Sequence, residues 1–230
     1  MQLDNVIIYE ALKQKRINCL YHANTLITSL SFIELGGITS RGKIEELGLK
    51  QTPQYSDCID KKYNVWNDIF LDTTDLHNYA YSGWYRQNIY GPILFELKTE
   101  LLLDESLNNI WITTNNPTNW VCNTPDNYFN SVDKYIQNID INRQQKMITI
   151  RGIDKIISLK KYLTCIYIDN PYVKYNEIKL YEFCYNEICN ALNKKGIYTS
   201  VLEHDCNRNC YCRKNYFDMP SCELEKLFLS

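Results

Sequence analysis

The run Leu20-Tyr21-His22-Ala23-Asn24-Thr25, followed at one helix length by Gly36-Gly37-Ile38-Thr39-Ser40-Arg41-Gly42, constrains this chain more than any other segment. A short apolar stretch over 17–22 predicts a strand that ends on His22, one of only three histidines. Leu26, Leu30 and Ile33 then recur at helical spacing, and the pattern stops at the Gly36-Gly37 pair. A strand with a polar tip, a helix, and a glycine turn carrying a lone cation suit the holding of a phosphate-bearing ligand.

The residue types fit that reading. His22 has two ring nitrogens, so backbone can fix one while the other meets a ribose hydroxyl. Asn24 or Thr25 suits the N-cap of the helix, and helix N-termini favour anions. A glycine pair suits a helix stop with positive φ. Arg41 can offer a forked contact to phosphate or carboxylate. The same residues also fit an ordinary capped helix, a satisfied strand-end histidine and a solvated arginine. The rest of the chain has to decide.

With 230 residues, the chain suits one domain of fair size, or one domain with a small appendage. A net charge of −2 provides no global basic field, which argues against a general nucleic-acid coat protein but leaves a local basic groove open. The 19 tyrosines, with plentiful Asn, Ile and Lys, fit an AT-rich coding sequence better than an aromatic platform. No apolar run approaches the ~20 residues of a membrane span. Residues 1–10 carry acidic side chains and no cationic leader pattern, so the expected compartment is the cytoplasm.

Hydrophobic periodicity predicts helices over 6–15, 26–35 and 172–195, the last ended by Gly196, and a helical turn over 43–49. Strands are expected over 17–22, 65–71, 90–97, 110–114, 146–151, 162–169 and 198–202, with Pro92 near the start or edge of its strand. Residues 53–64 read as a loop, and 116–143 as a loop with one or two short helices. The result is an α+β domain over 1–200, with a cysteine-rich tail over 201–230 packed on it or appended to it.

Of the ten cysteines, Cys19, Cys58, Cys122, Cys165, Cys184 and Cys189 are scattered among apolar neighbours and read as small core residues. The tail places His204, Cys206, Cys210 and Cys212 within nine residues, with Cys222 ten further on. The Cys206-x3-Cys210 spacing fits zinc, whereas His204-x-Cys206 and Cys210-x-Cys212 are tighter than usual. Free thiols, a structural metal and a disulfide all remain open, with free thiols favoured in a cytosolic chain. The tail lies outside the expected core, so the active site is assigned no metal.

Several segments, in order, resemble the DarT-type branch of the ADP-ribosyltransferases. The opening resembles the family's Tyr-His strand, helix and Gly-x-x-(x)-Ser-Arg turn. Asn67-Asp68-Ile69-Phe70-Leu71-Asp72, Tyr90-Gly91-Pro92-Ile93-Leu94-Phe95-Glu96, Gln145-Lys146-Met147-Ile148-Thr149-Ile150 and Ile166-Tyr167-Ile168-Asp169-Asn170-Pro171 resemble its later strands. The resemblance covers roughly residues 17–170. It implies a mixed, split-sheet α+β core with flanking helices, and NAD as the cofactor-like substrate.

By the same resemblance, His22 holds the nicotinamide-side ribose, and Asn24, Thr25 and Ser40 contribute to cofactor binding. Arg41 holds a phosphate or orients the acceptor. An aromatic from Tyr79, Tyr81, Trp84 and Tyr85 stacks on nicotinamide. Gln145 and Met147 line the scissile bond. The implied acceptor is a macromolecule, nucleic acid ahead of protein. An antitoxin or inhibitor is the implied partner of such a toxin or antiphage effector, and no membrane is involved.

One departure matters. The family sets a glutamate at the head of the later strand, where a carboxylate stabilises the oxocarbenium-like ribose. No Asp or Glu lies between Asn142 and Gly152 here, and Gln145, Lys146 or Met147 takes the place. A carboxylate from Asp72, Asp75 or Glu96 could substitute. An RNA 2′-phosphotransferase-like enzyme and a non-catalytic nucleotide-binding module are the alternatives.

Overall fold

The structure, a computed structural model, describes residues 2–77, 90–139, 145–205 and 212–229. Its centre is a seven-stranded sheet in the order β11-β8-β4-β1-β3-β6-β5. These strands are β1 (Cys19–Asn24), β3 (Asp68–Asp72), β4 (Ile93–Lys98), β5 (Ile110–Ile112), β6 (Met147–Arg151), β8 (Leu163–Ile168) and β11 (Ser200–Glu203). All neighbours pair antiparallel except β11 with β8, which run parallel. A parallel pair needs a crossover, and the 16-residue helix Leu180–Lys195 lies within it.

A separate antiparallel pair joins β2 (Gly37–Thr39) to β7 (Ile156–Ser158). The mixed α+β class with a split sheet and flanking helices is therefore the one that forms. The turn expected at Gly36-Gly37 is divided between two roles. Gly36 ends the helix α2 (Leu26–Leu35) in the left-handed region at φ 80, and Gly37 already belongs to a strand. Three-residue strands carry too few alternations to announce themselves in a sequence.

Helix α2 is apolar on most sides. Leu26, Phe32 and Ile33 are buried, and it packs against the helix Leu180–Lys195 through the main core. The first helix, α1 (Asn5–Gln14), buries only Ile8 and Leu12; Asp4 caps it by accepting a hydrogen bond from Ile7 N at 3.0 Å.

Two regions differ from the sequence-based expectation. Residues 53–64 contain the helix α4 (Asp57–Lys62), which follows α3 (Arg41–Glu46). It buries none of its residues, so it has no apolar stripe to reveal it. Asp57 and Asp60 in its first turn and Lys61 and Lys62 in its last complement the helix dipole instead. The long helix starts at Leu180 rather than near 172. Before it, β9 (Lys174–Tyr175) and β10 (Ile178–Lys179) form a hairpin whose turn residues Asn176 and Glu177 have φ of 46 and 66.

The chain beyond 200 continues into the same core. β11 spans residues 200–203, and Tyr216, Leu224, Leu227 and Phe228 join the main apolar cluster. Cys184 lies in that cluster and Cys165 is also buried, but Cys58 and Cys122 are exposed, contrary to a core role. Cys58 sits on the exposed side of α4, whose Ile59 faces a smaller apolar cluster. Cys206 and Cys210 lie outside the described residues.

Candidate active site

The ends of β1, β3 and β6 meet the start of α3 around one cavity, whose wall includes His22, Asn24, Arg41, Asp72, Gln145 and Met147. Sheet register explains the meeting. Asp72 on β3 pairs with Tyr21 on β1 on one side and with Met147 on β6 on the other. Residues separated by more than 70 positions in sequence thus become neighbours.

His22 is held as one tautomer. Its Nδ1 lies 2.9 Å from the Phe70 carbonyl, which can only accept, so Nδ1 carries the proton. The Nε2 lone pair faces Asn24 Nδ2 at a long 3.5 Å. Burial, aided by the charge of Arg41, pushes the imidazole pKa below its usual value, so the ring stays neutral. Phe32 packs its edge against the ring at 5.5 Å between centroids. Asn24 is fixed in turn, since its Oδ1 accepts from Thr25 N at 2.9 Å and Gln54 Nε2 at 3.2 Å.

Arg41 is not a solvated cation. Its side chain is 13% exposed, and its Nε lies 2.9 Å from Asp57 Oδ1. Nη2 donates to Asp57 Oδ2 and to the Thr52 carbonyl, each at 3.0 Å, and the guanidinium lies 5.2 Å from the Trp66 ring centre. Nη1 is buried and makes no hydrogen bond among the described residues. The solvated alternative fails because Asp57 belongs to the helix α4, in a segment that reads as loop.

Thr25 and Ser40 are not among the residues lining the cavity, unlike the expectation for cofactor contacts. The Thr25 hydroxyl is buried against Thr52 Oγ1 at 2.8 Å and Thr28 Oγ1 at 3.2 Å. Ser40 caps α3, accepting from Lys43 N at 3.2 Å. Both build the wall's supports. Tyr79, Tyr81, Trp84 and Tyr85 lie outside the described residues.

Gln145 lies two residues before β6 and is tied on both sides. Its Nε2 donates to Asp72 Oδ1 at 3.0 Å and Oδ2 at 3.1 Å. Its Oε1 accepts from Tyr90 Oη at 2.6 Å and Asn116 Nδ2 at 2.7 Å. Asp72 is the carboxylate at this point. Burial raises its pKa to about 7, and the Gln145 hydrogen bond acts in the opposite direction. The other carboxylates weighed from sequence lie elsewhere. Glu96 accepts from Thr164 Oγ1 at 2.7 Å and Tyr21 Oη at 3.3 Å, and Asp75 lies 2.8 Å from His204 Nε2.

Two further carboxylates line the cavity, Asp60 and Asp68. Burial raises each to about 6; a Ser56 hydrogen bond opposes this for Asp60, and the charge of Arg151 opposes it for Asp68. Sequence reading misses both, along with Tyr90, Asn116 and Gln54. Asp60 lies on α4 and Asp68 at the start of β3, the other three lie outside helices and strands, and no spacing pattern marks any of them. The cavity therefore combines three carboxyls of raised pKa, a neutral histidine whose Nε2 has a long contact to Asn24, and one anchored arginine. Such a site can stabilise positive charge developing at its carboxylate end and hold an anion near its arginine.

No family model matches the sequence, and no curated protein matches it either. The fold does have a solved counterpart of the DarT type. A Thermus sp. 2.9 DarT, solved in complex with ADP-ribosylated single-stranded DNA, aligns over 82% of this chain and 95% of its own, with TM-score 0.51 and 8% identity. A Thermosipho africanus DarTG in complex with ADP-ribose aligns over 87% of this chain and 51% of its own, with TM-score 0.47 and 14% identity. This chain has the DarT-like ADP-ribosyltransferase fold that its sequence resembles.

Proposed function

We propose that this protein transfers ADP-ribose from NAD to a macromolecular acceptor, nucleic acid ahead of protein. The observation that carries the reading is the cavity on a DarT-like fold, with Asp72 held by Gln145 opposite His22 and near the buried fork of Arg41. In this reading His22 Nε2 accepts from a ribose hydroxyl, and Arg41 Nη1 donates to a phosphate oxygen. Asn24 fixes the histidine. Met147 lines the reacting end. Tyr79 or Tyr81 supplies the face that stacks on nicotinamide.

Cleaving the bond to nicotinamide leaves a ribose with oxocarbenium character. A carboxylate beside it lowers the energy of that charge more than that of the neutral ground-state sugar, which is the condition for catalysis. Asp72 meets the need that a glutamate meets in the family. Its position on β3 rather than β6 is a relocation across one strand pair, Asp72↔Met147. A toxin or antiphage role, with a neutralising partner, follows from the same reading.

The test is incubation with NAD labelled in the adenylate, offered separately with single-stranded DNA, RNA and protein pools. Label should become covalently attached to a nucleic-acid pool and disappear in Asp72→Asn. Attachment only to protein would change the acceptor. No attachment in any pool, with NAD still raising the unfolding temperature, would favour a binding module.

A further inference from the structure

We propose that His77, Asp169 and His204 form a buried site for one divalent transition-metal ion of the zinc class, separate from the cavity. The three residues come from the segment after β3, the end of β8 and the end of β11. Each offers one ligand atom, and these atoms all lie within 4.8 Å of one another. All three side chains are buried, at 4% exposure or less.

Each histidine uses its outer nitrogen on an acceptor outside the cluster and turns the other one inward. His77 Nε2 lies 3.0 Å from the Gly91 carbonyl, so that nitrogen carries a proton and donates. Its other nitrogen, Nδ1, faces inward and lies 2.8 Å from Asp169 Oδ1. His204 repeats the pattern. Its Nε2 lies 2.8 Å from Asp75 Oδ2, and its Nδ1 lies 3.8 Å from the same Asp169 Oδ1.

Metal-binding histidines almost always give their second nitrogen to a carbonyl or carboxylate, and here Gly91 and Asp75 are those acceptors. Tyr216 Oη donates to Asp169 Oδ2 at 2.5 Å and so orients the carboxylate with Oδ1 toward the histidines. Tetrahedral zinc with bonds near 2.0–2.1 Å sets its ligands about 3.3 Å apart. The observed 2.8 and 3.8 Å bracket that value. Two imidazoles and a carboxylate suit zinc, with harder ions such as magnesium disfavoured.

The ion would staple the chain beyond 200 to the sheet. It would also fix Gly91, and with it the adjoining Tyr90 that holds Gln145.

The experiment uses the full chain, stripped with a chelator and then given zinc or cobalt(II). One ion should bind per chain, with a visible cobalt spectrum of tetrahedral type and no thiolate charge-transfer band. His77→Gln and Asp169→Asn should each weaken binding at least tenfold, and Asp75→Ala by about tenfold to hundredfold. His77→Cys guards against misfolding as the cause, because its cobalt form should gain a thiolate band. A combined Cys206→Ser, Cys210→Ser, Cys212→Ser variant should keep the ion. Loss of the ion in the cysteine variant with retention in His77→Gln would overturn the site. So would a folded wild-type chain that takes up neither metal. Metal content is read independently of ADP-ribosyl transfer, so either proposal can fail alone.

Discussion

Gln145 donates to both oxygens of Asp72, at 3.0 and 3.1 Å, across the pairing of β3 with β6. An amide just before β6 thus steadies a carboxylate on the neighbouring strand. Asp72→Asn should lower the transfer rate by about a hundredfold or more while leaving NAD affinity nearly unchanged, since the charge matters most in the transition state. Single-turnover transfer and NAD titration measure the two quantities. An Asp72→Asn enzyme at wild-type rate would remove Asp72 from the chemistry.

The same pair sets a pH profile. In the proposed reaction Asp72 works as the anion, and burial raises its pKa to about 7, so transfer should rise with pH through about 7. Gln145→Ala removes the hydrogen bond that pulls this value down while the burial remains. The acid limb should then move to higher pH. A rate profile from pH 5.5 to 8.5 for both proteins tests this. An unmoved limb in Gln145→Ala would show that Gln145 does not tune Asp72.

Stability should carry the opposite trend. Between the ordinary 3.8 and about 7, the folded state binds the Asp72 proton more tightly than the unfolded chain does. Stability therefore falls as pH rises across that window. Asp60 and Asp68, raised to about 6, act in the same direction. Asp72→Asn should be more stable than wild type by at least about 1 kcal/mol at pH 8, with the difference vanishing near pH 4. Urea unfolding at the two pH values checks it. A variant less stable at pH 8 would contradict the burial penalty.

Arg41 supports the fold and, in the proposed function, the ligand as well. Its ion pair with Asp57 is mostly buried, with side chains 13% and 21% exposed. Arg41→Ala should cost about 2 kcal/mol of stability, less than the 3–5 of a fully buried pair. NAD affinity should fall about tenfold for the lost charge-assisted bond. Asp57→Ala completes a double-mutant cycle, in which a coupling above about 1 kcal/mol is expected. An unchanged urea midpoint in Arg41→Ala would return the residue to an ordinary surface charge.

How much of this was legible in the sequence depends on the range of each signal. Helix α2 runs Leu26–Leu35 as its periodicity predicts, because the stripe and the Gly36 stop are local. The β-branched run at β8 and the strand heads near His22 and Met147 were local too. Helix α4 was hidden because Ile59 is its one large apolar side chain packed inward, and the β2–β7 pair because each strand is three residues long. Asp72 was only one of three candidate carboxylates in sequence. Register puts it beside Met147 on the cavity wall, while Glu96 and Asp75 bond elsewhere. Arg41's burial was invisible for a similar reason: its partner Asp57 sits 16 residues away on an unpredicted helix.

Gly91 sits where the cavity wall and the proposed metal cluster meet. It has φ 115, and a Cβ there would lie 2.3 Å from the Asn24 carbonyl carbon and 2.4 Å from Thr25 N. Both obstacles are backbone at the end of β1, so neither can swing aside. Its own carbonyl accepts from His77, and its neighbour Tyr90 holds Gln145 at 2.6 Å. Gly91→Ala should therefore cost about 3 kcal/mol or more, combining left-handed strain with a forced shift of Asn24. Gly48→Ala is the control, because φ is 64 there and nothing lies within 4 Å of the added atom. It should cost only about 1 kcal/mol, the backbone term alone. Urea unfolding of both variants separates the two terms. Where Gly91→Ala still folds, NAD should no longer raise its unfolding temperature, while Gly48→Ala should respond like wild type. Equal losses in the two variants would show that backbone strain, rather than close approach to Asn24, is what glycine relieves at position 91.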